Sequence, residues 1–374
     1  MDLLYFSSMA LRKNSAQETQ FIEKLGLFNS LGFKTKTITP LIVSNEILLP
    51  QLNFVISQLL FFISVFKICL NDRPKFICSR SAMSLHILFL SKIFRIKYVP
   101  EIHGCLREEA EMQKCSAFFR YYIIFSERLT YKMCDHIIAV TDLIKSDICK
   151  FYHISEKKVN VIGNGVNISR FKPLDKNNIR ETLGIDKNAF IIGYCGSLIQ
   201  WQGVDFLIEA MDRVFKRYED CHLMIVGDGP ERESLIKLAE ILGMSEKIKF
   251  IGNVNYELIP KYINCFNIGV CYKKPLKSGF SPLKLYEYMA CGKAIIASDV
   301  PGFELVREHN IGLLVTPESE KDLANAIIKL IENRTLIERM GENARDCAEN
   351  EFSWDHVVKK YIQTFVSINN MEMV

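Results

Sequence analysis

The stretch Ser278 to Asp299, SGFSPLKLYEYMACGKAIIASD, decides how the chain folds. Ser281 and Pro282 open a helix: serine is a good N-cap, and proline suits the first helical position. Leu283, Tyr286 and Ala290 follow on one face at helical spacing. Gly292 stops the helix, because glycine takes the left-handed conformation just past a helix end. Ala294 to Ala297 reads as a short strand, apolar on both faces as in a parallel sheet. Lys284 and Glu287 stand three apart, so they project from neighbouring points on the first two turns. The amides of residues 281 to 284 lack helical partners and mark the positive end of the dipole, a place suited to phosphate. A carboxylate one turn further in suits ribose hydroxyls. The spacing fits two readings, a solvated Lys–Glu pair on a capped helix or a phosphate-and-ribose site.

Working outward, 374 residues fit two domains of ordinary size better than one. Hydrophobic residues at 49% and charged ones at 24% are those of a globular protein with material for two cores. A net charge of +4 is too mild to argue for nucleic acid. The charge is unevenly shared: residues 1–165 hold 21 Lys and Arg against 14 Asp and Glu, and the remainder 26 against 29. A basic first half suits an anionic membrane surface or an anionic acceptor, and equally an ordinary mixed-charge surface. Twelve cysteines show no CxxC pairs, and several (Cys78, Cys195, Cys271) sit in apolar runs, which points to a reducing cytoplasm. The seven histidines form no HxxxH or His/Cys cluster, so no structural metal is expected. No signal peptide is read, since Asp2 opens directly into a strand. Ile47 to Phe66 carries no charge but includes Pro50, Gln51, Asn53, Ser57, Gln58 and Ser64, so a buried or interfacial helix is read in place of a span.

Strands and helices alternate along the chain. DLLYFS (2–7) is a strand, and Ser15 with Glu18 makes a capping box for a helix that runs to Gly32. Lys34–Thr39, Lys75–Cys78, Ile96–Ile102 and Asp135–Val140 are further strands, with helices over 50–70 and 82–94 and one long helical region over 106–133. The aromatics of that region (Phe118, Phe119, Tyr121, Tyr122, Phe125) read as core. Thr141 caps the next helix. The second half repeats the rhythm: Phe190–Gly196 is a strand, and Val204, Leu207, Ile208, Met211, Phe215 and Tyr218 mark an amphipathic helix. HLMIVGDGP (222–230) reads as a strand and a tight structural turn, without a GxGxxG fingerprint. Such alternation predicts parallel α/β sheets with ligands at the carboxyl ends of strands, where His103-Gly104 stands.

SPLKLYEYMACGKAIIAS resembles the donor-site helix of the retaining group 1 glycosyltransferases, and EIHG (101–104) is similar to their "HG" segment. VNVIGNGVN (159–167) is similar to their interdomain crossing, with Asn164 and Gly165 as hinge candidates. The resemblance implies a GT-B fold: two facing Rossmann-like α/β domains, 1–165 on the acceptor side and 166–351 binding the donor, with a cleft between them and a terminal helix over 352–374 packing back on the first. It implies that Glu287 binds the nucleotide ribose, Lys284 and the helix N-terminus face the diphosphate, and His103 contacts the transferring sugar; these three are the catalytic candidates. Donor contacts would come from Gly196, Ser197, Gln202 and Gly203 in GSLIQWQG, from Asn253 and Val254 in KFIGNV, and from Phe280, Ser281, Pro282 and Leu283. Such an enzyme moves a sugar from a nucleotide-diphosphate sugar to a saccharide or lipid-linked acceptor hydroxyl, with retention and without cofactor or essential metal. It would act in the cytoplasm, at the inner face of a membrane, in polysaccharide or glycolipid synthesis. The chain departs from the family at three places. Gly279 replaces an earlier glutamate, Ser197 and Gln202 replace an arginine and a lysine, and the loop MALRKNSAQ (9–17) lacks paired glycines. Lys273, Lys274 and Lys277 lie in the connecting loop, where they either replace the missing cations or are solvated. The departures keep two alternatives open, a catalytically silent GT-B partner subunit and a nucleotide-sugar epimerase of the same architecture.

Overall fold

The computed structural model describes residues 1–7, 16–38, 50–80, 85–112, 115–275 and 281–370. Ser15, the MALRKNSAQ loop up to that residue, Lys277, Gly279 and Phe280 lie outside the described residues. The chain divides into two compact units, one from Met1–Asn164 and Trp354–Val374, the other from Gly165–Leu276 and Pro282–Ser353.

In the first unit, strands β1 (Leu3–Phe6), β2 (Thr35–Ile38), β3 (Phe76–Ser79), β4 (Lys97–Ile102), β5 (Ile137–Ala139) and β6 (Val159–Val161) form one sheet, ordered β2-β1-β3-β4-β5-β6. Every pairing is parallel. β1 and β3 are buried along their whole length, as continuous apolar runs covered on both faces require. Leu4 and Phe6 meet the helices Pro50–Asp72, Leu85–Ile93 and Asp142–Tyr152 on one face. Leu3 and Tyr5, pointing the other way, meet the helices Ala16–Ser30 and Trp354–Asn370. Phe28 and Phe365 pack there at a ring-centroid distance of 6.2 Å.

The second unit holds β7 (Phe190–Cys195), β8 (Cys221–Val226), β9 (Ile248–Gly252), β10 (Ile268–Cys271), β11 (Ala294–Ser298) and β12 (Gly312–Val315), ordered β12-β11-β10-β7-β8-β9. Counted from β9, the order is third, second, first, fourth, fifth, sixth, that of dinucleotide-binding folds. It reverses between β7 and β10, where ligands bind beyond the strand ends. The helix Val204–Phe215 buries Leu207, Ile208, Met211 and Phe215 against this sheet, as its periodicity predicts.

Two expectations change. The helical region 106–133 is two helices, Leu106–Met112 and Ala117–Met133, because the Ser116 side chain accepts the Phe119 amide hydrogen and starts a new N-terminus. Its aromatics are not core: Phe118 is 83% exposed and Tyr121 71%. The face that enters the core carries Ile123, Thr130 and Tyr131 instead. The described part of the uncharged run, from Pro50 to Phe66, lies in the helix Pro50–Asp72, and among the described residues no helix is long and apolar enough to cross a membrane, in keeping with the reading of that run.

Candidate functional site

The helix Leu283–Ala290 starts one residue later than its spacing predicts, with Pro282 in place of Ser281 at the N-cap. The proline ring offers no acceptor to the first amides, so those of Leu283 and Lys284 open the helix without a side-chain cap. Pro282 is buried, and Ser281 and Leu283 are partly exposed. Lys284 and Glu287 are not a solvated pair. Glu287 is buried and accepts a 2.8 Å hydrogen bond on Oε1 from the Tyr256 hydroxyl. Lys284 Nζ donates to Gln202 Oε1 at 2.7 Å and lies 4.0 Å from the centre of the Tyr194 ring. Burial lowers the Lys284 pKa to about 8. Tyr256, on the turn after β9, is a residue that spacing does not reveal.

The GSLIQWQG loop wraps this lysine. A Cβ on Gly196 would come within 2.8 Å of Lys284 Nζ, so only glycine lets the ammonium sit against the end of β7. The hydroxyl of Tyr194 donates to the carbonyl of Ser197 at 2.9 Å. Gly203 starts the Val204–Phe215 helix at a φ of 61°, with the Tyr272 ring where a Cβ would stand. Gln202, where the family carries a cation, is thus an acceptor that orients Lys284; a second cation there would repel it. Ser197 is exposed. The GDG turn is structural: Leu198 donates its amide to the Asp228 carbonyl at 3.0 Å, and Gly227 to that of Gly252 at 2.8 Å. Asn253, exposed, and Val254, partly exposed, follow that glycine. Lys274 Nζ is paired with Asp205 at 2.8 Å, and Lys273 is buried.

In the first unit, His103 follows β4 with Nε2 2.6 Å from Glu101 Oε1. The other carboxylate oxygen accepts from Lys24 Nζ at 2.6 Å and from the Tyr5 hydroxyl at 2.7 Å. Lys24 also lies 3.7 Å from the centre of the Tyr361 ring. A carboxylate on a buried strand needs such partners. Burial alone would raise its pKa, but Lys24, His103 and Arg80 hold it well below the ordinary range. Burial, reinforced by Arg80 and opposed by Glu101, brings the His103 pKa down to about 4. The imidazole is therefore neutral at pH 7, with its Nε2 hydrogen on the carboxylate and Nδ1 left as an acceptor. Glu101 and Lys24 are residues that the motif did not single out. The one available signal was alternation, which puts positions two apart on the same side of an extended chain.

The sequence shows no His/Cys cluster, yet folding brings His309 Nδ1, Cys347 Sγ and a Glu351 carboxylate oxygen within 4.8 Å of one another. These are the described residues able to hold a metal ion; Cys347 is buried and burial raises its thiol to about 12.

Residues 175–346 match the family model of group 1 glycosyl transferases, and residues 38–170 that of Glycosyltransferase Family 4. An uncharacterized glycosyltransferase of Methanocaldococcus jannaschii is 27% identical over 287 residues, 74% of this chain and 70% of that protein. The alpha-D-kanosaminyltransferase of Streptomyces kanamyceticus is 26% identical over 61% of this chain and 59% of its own length. The crystal structure of Anabaena HepE in complex with UDP superposes with a TM-score of 0.77 at 20% identity, over 98% of this chain and all of that one. It shares the GT-B fold, with two Rossmann-like domains. With one family model on each half of the chain and the GT-B fold shared, the chain belongs to the group 1 glycosyltransferases.

Proposed function

We propose that the chain moves a hexosyl unit from a nucleotide-diphosphate sugar to a hydroxyl of a saccharide or lipid-linked saccharide, with retention. It would serve cell-surface polysaccharide or glycolipid synthesis, in the cytoplasm and at an anionic membrane face. The observation that carries this reading is the pairing of an oriented ammonium, Lys284 on Gln202, with a buried carboxylate, Glu287 on Tyr256, one turn along the same helix. The bond from C1 to the diphosphate oxygen breaks with its electron pair going to that oxygen, where Lys284 and the helix amides stabilise the charge, while the acceptor hydroxyl oxygen bonds to C1 and its proton passes to the departing phosphate. Glu287 holds the ribose by accepting hydrogen bonds from its hydroxyls, and neutral His103 accepts on Nδ1 a hydrogen bond that a sugar hydroxyl donates. UDP is the first nucleotide to try, since it occupies the Anabaena HepE structure.

A thermal-shift series with UDP-, GDP-, ADP- and CMP-sugars tests the reading, because a ligand that binds only the folded chain raises its melting temperature. Nucleotide release that requires an acceptor supports transfer; conversion of the sugar without acceptor indicates an epimerase. Ser197 and Gln202 in place of cations favour a silent partner subunit, and that reading takes over if no nucleotide sugar binds.

A further inference from the structure

We propose that the outer faces of three helices of the first unit, Pro50–Asp72, Leu85–Ile93 and Ala117–Met133, form a docking surface for an anionic phospholipid bilayer. This deepens the membrane partner of the proposed function by naming the surface.

On Ala117–Met133, Phe118, Tyr121, Tyr122 and Phe125 are exposed at spacings of three and four, so they line one stripe. Arg128 and Lys132 continue that stripe and are exposed too. The acid of this helix, Glu127, faces inward and accepts a hydrogen bond from Tyr131 at 3.2 Å and another from Tyr152. The stripe is thus aromatic at its start and cationic at its end. On the neighbouring helix Leu85–Ile93, Phe89 and Ile93 are exposed. On Pro50–Asp72, Leu59, Ile63, Phe66 and Leu70 are exposed beside Lys67, with the Phe66 ring 5.5 Å from that of Phe94. Asp72 at its end is already paired with Lys36 at 2.9 Å. The exposed large hydrophobics among the described residues concentrate on these helices, whereas the second unit has only Ile241 and Leu258 among its described residues.

Scattered apolar residues are ordinary on a surface; a contiguous set of them marks an interface. Tyrosines, with an apolar body and a wet end, suit the headgroup boundary. Cations beside them, without an ion-pair partner among the described residues, are drawn to anionic lipid.

The test floats the intact chain with vesicles of phosphatidylcholine alone or mixed with phosphatidylglycerol, at low and high salt. Binding should need phosphatidylglycerol and weaken with salt. The triple substitution Phe118→Ser, Tyr121→Ser, Phe125→Ser should lower the bound fraction about tenfold or more. Arg128→Glu with Lys132→Glu should also lower it and flatten the salt dependence. All five positions touch solvent, and equal melting temperatures of parent and variants check the fold. The proposal is overturned if either set floats like the parent, or if the parent ignores vesicles and sediments as a dimer that the triple variant dissolves. Lost vesicle binding with nucleotide-sugar binding intact removes this surface alone; the opposite pattern removes the proposed activity alone.

Discussion

Removing the ammonium of Lys284 is the most searching perturbation of the donor site. Its Nζ is positioned by Gln202 at 2.7 Å and by the Tyr194 ring, so little ordering remains to be done when a diphosphate arrives. A hydrogen bond to a charged group is worth roughly 1.5–3 kcal/mol, which converts to a loss of about ten- to a hundredfold in affinity. Lys284→Ala should therefore bind UDP that much more weakly while binding uridine unchanged, both read by isothermal titration. The pKa of about 8 supplies a second reading of the same contact. The anion selects the protonated lysine, so the parent's affinity for UDP should fall as pH rises through 8, whereas the variant's should stay flat. Stability moves the other way. The folded pKa lies below its ordinary 10.5, so the unfolded chain holds a proton that the folded chain has released. The cost that burying this ammonium places on folding is therefore relieved as pH rises from 8 towards 10.5, and alkaline unfolding through Lys284 cannot mimic the loss of binding. An alanine variant that binds UDP within about twofold of the parent, with the same pH profile, would refute the assignment.

Glu287→Gln should weaken nucleoside and nucleotide alike, and Tyr256→Phe, which frees the carboxylate to swing, should do the same more mildly; titration with uridine separates them from Lys284→Ala. His103→Ala should lower kcat while leaving UDP affinity nearly unchanged, and an unstable variant would return the residue to a structural role. Glu101→Gln, which loosens the imidazole without removing it, should lower kcat less than His103→Ala does. Lys24→Met leaves the Glu101 carboxylate buried without its ion-pair partner and should cost about 3–5 kcal/mol, read as a lower denaturation midpoint that Glu101→Gln in the same chain partly restores.

The sequence is most legible where local rules act. The helix at 283–290 lies within one residue of its reading because its proline, its apolar spacing and Gly292 all bear on the same few turns. The alternation of strands and helices likewise carries both sheets. The partners of the functional groups are less legible, because they come from far along the chain. Tyr256 is 31 residues from Glu287, and Lys24 is 77 from Glu101. Nothing in the Ala16–Ser30 helix marks Lys24 as buried until Tyr5 and Tyr361 close over it. The aromatic stripe failed for another reason. Periodicity tells that one face of a helix is apolar, but it does not tell which layer, if any, covers that face. Phe118 and Tyr121 belong to the outermost layer, and the sheet is served by Ile123 and Tyr131 on the opposite side.

The helix Trp354–Asn370 supplies Trp354, Val357, Tyr361 and Phe365 to the core that holds Leu3, Tyr5 and Phe28. Its consequence is one of order in time. A ribosome adding about 5–20 residues per second finishes every strand of the first sheet, then makes the whole second sheet, before the helix that seals the first emerges. For that interval, on the order of ten seconds or more, Leu3 and Phe28 have no cover on one side. The second unit, contiguous in the chain apart from the short stretch before Pro282, is under no such wait. The unit made first is thus the unit completed last, and until then Lys24 has no Tyr361 beneath it and Glu101 no settled counter-ion with which to hold His103.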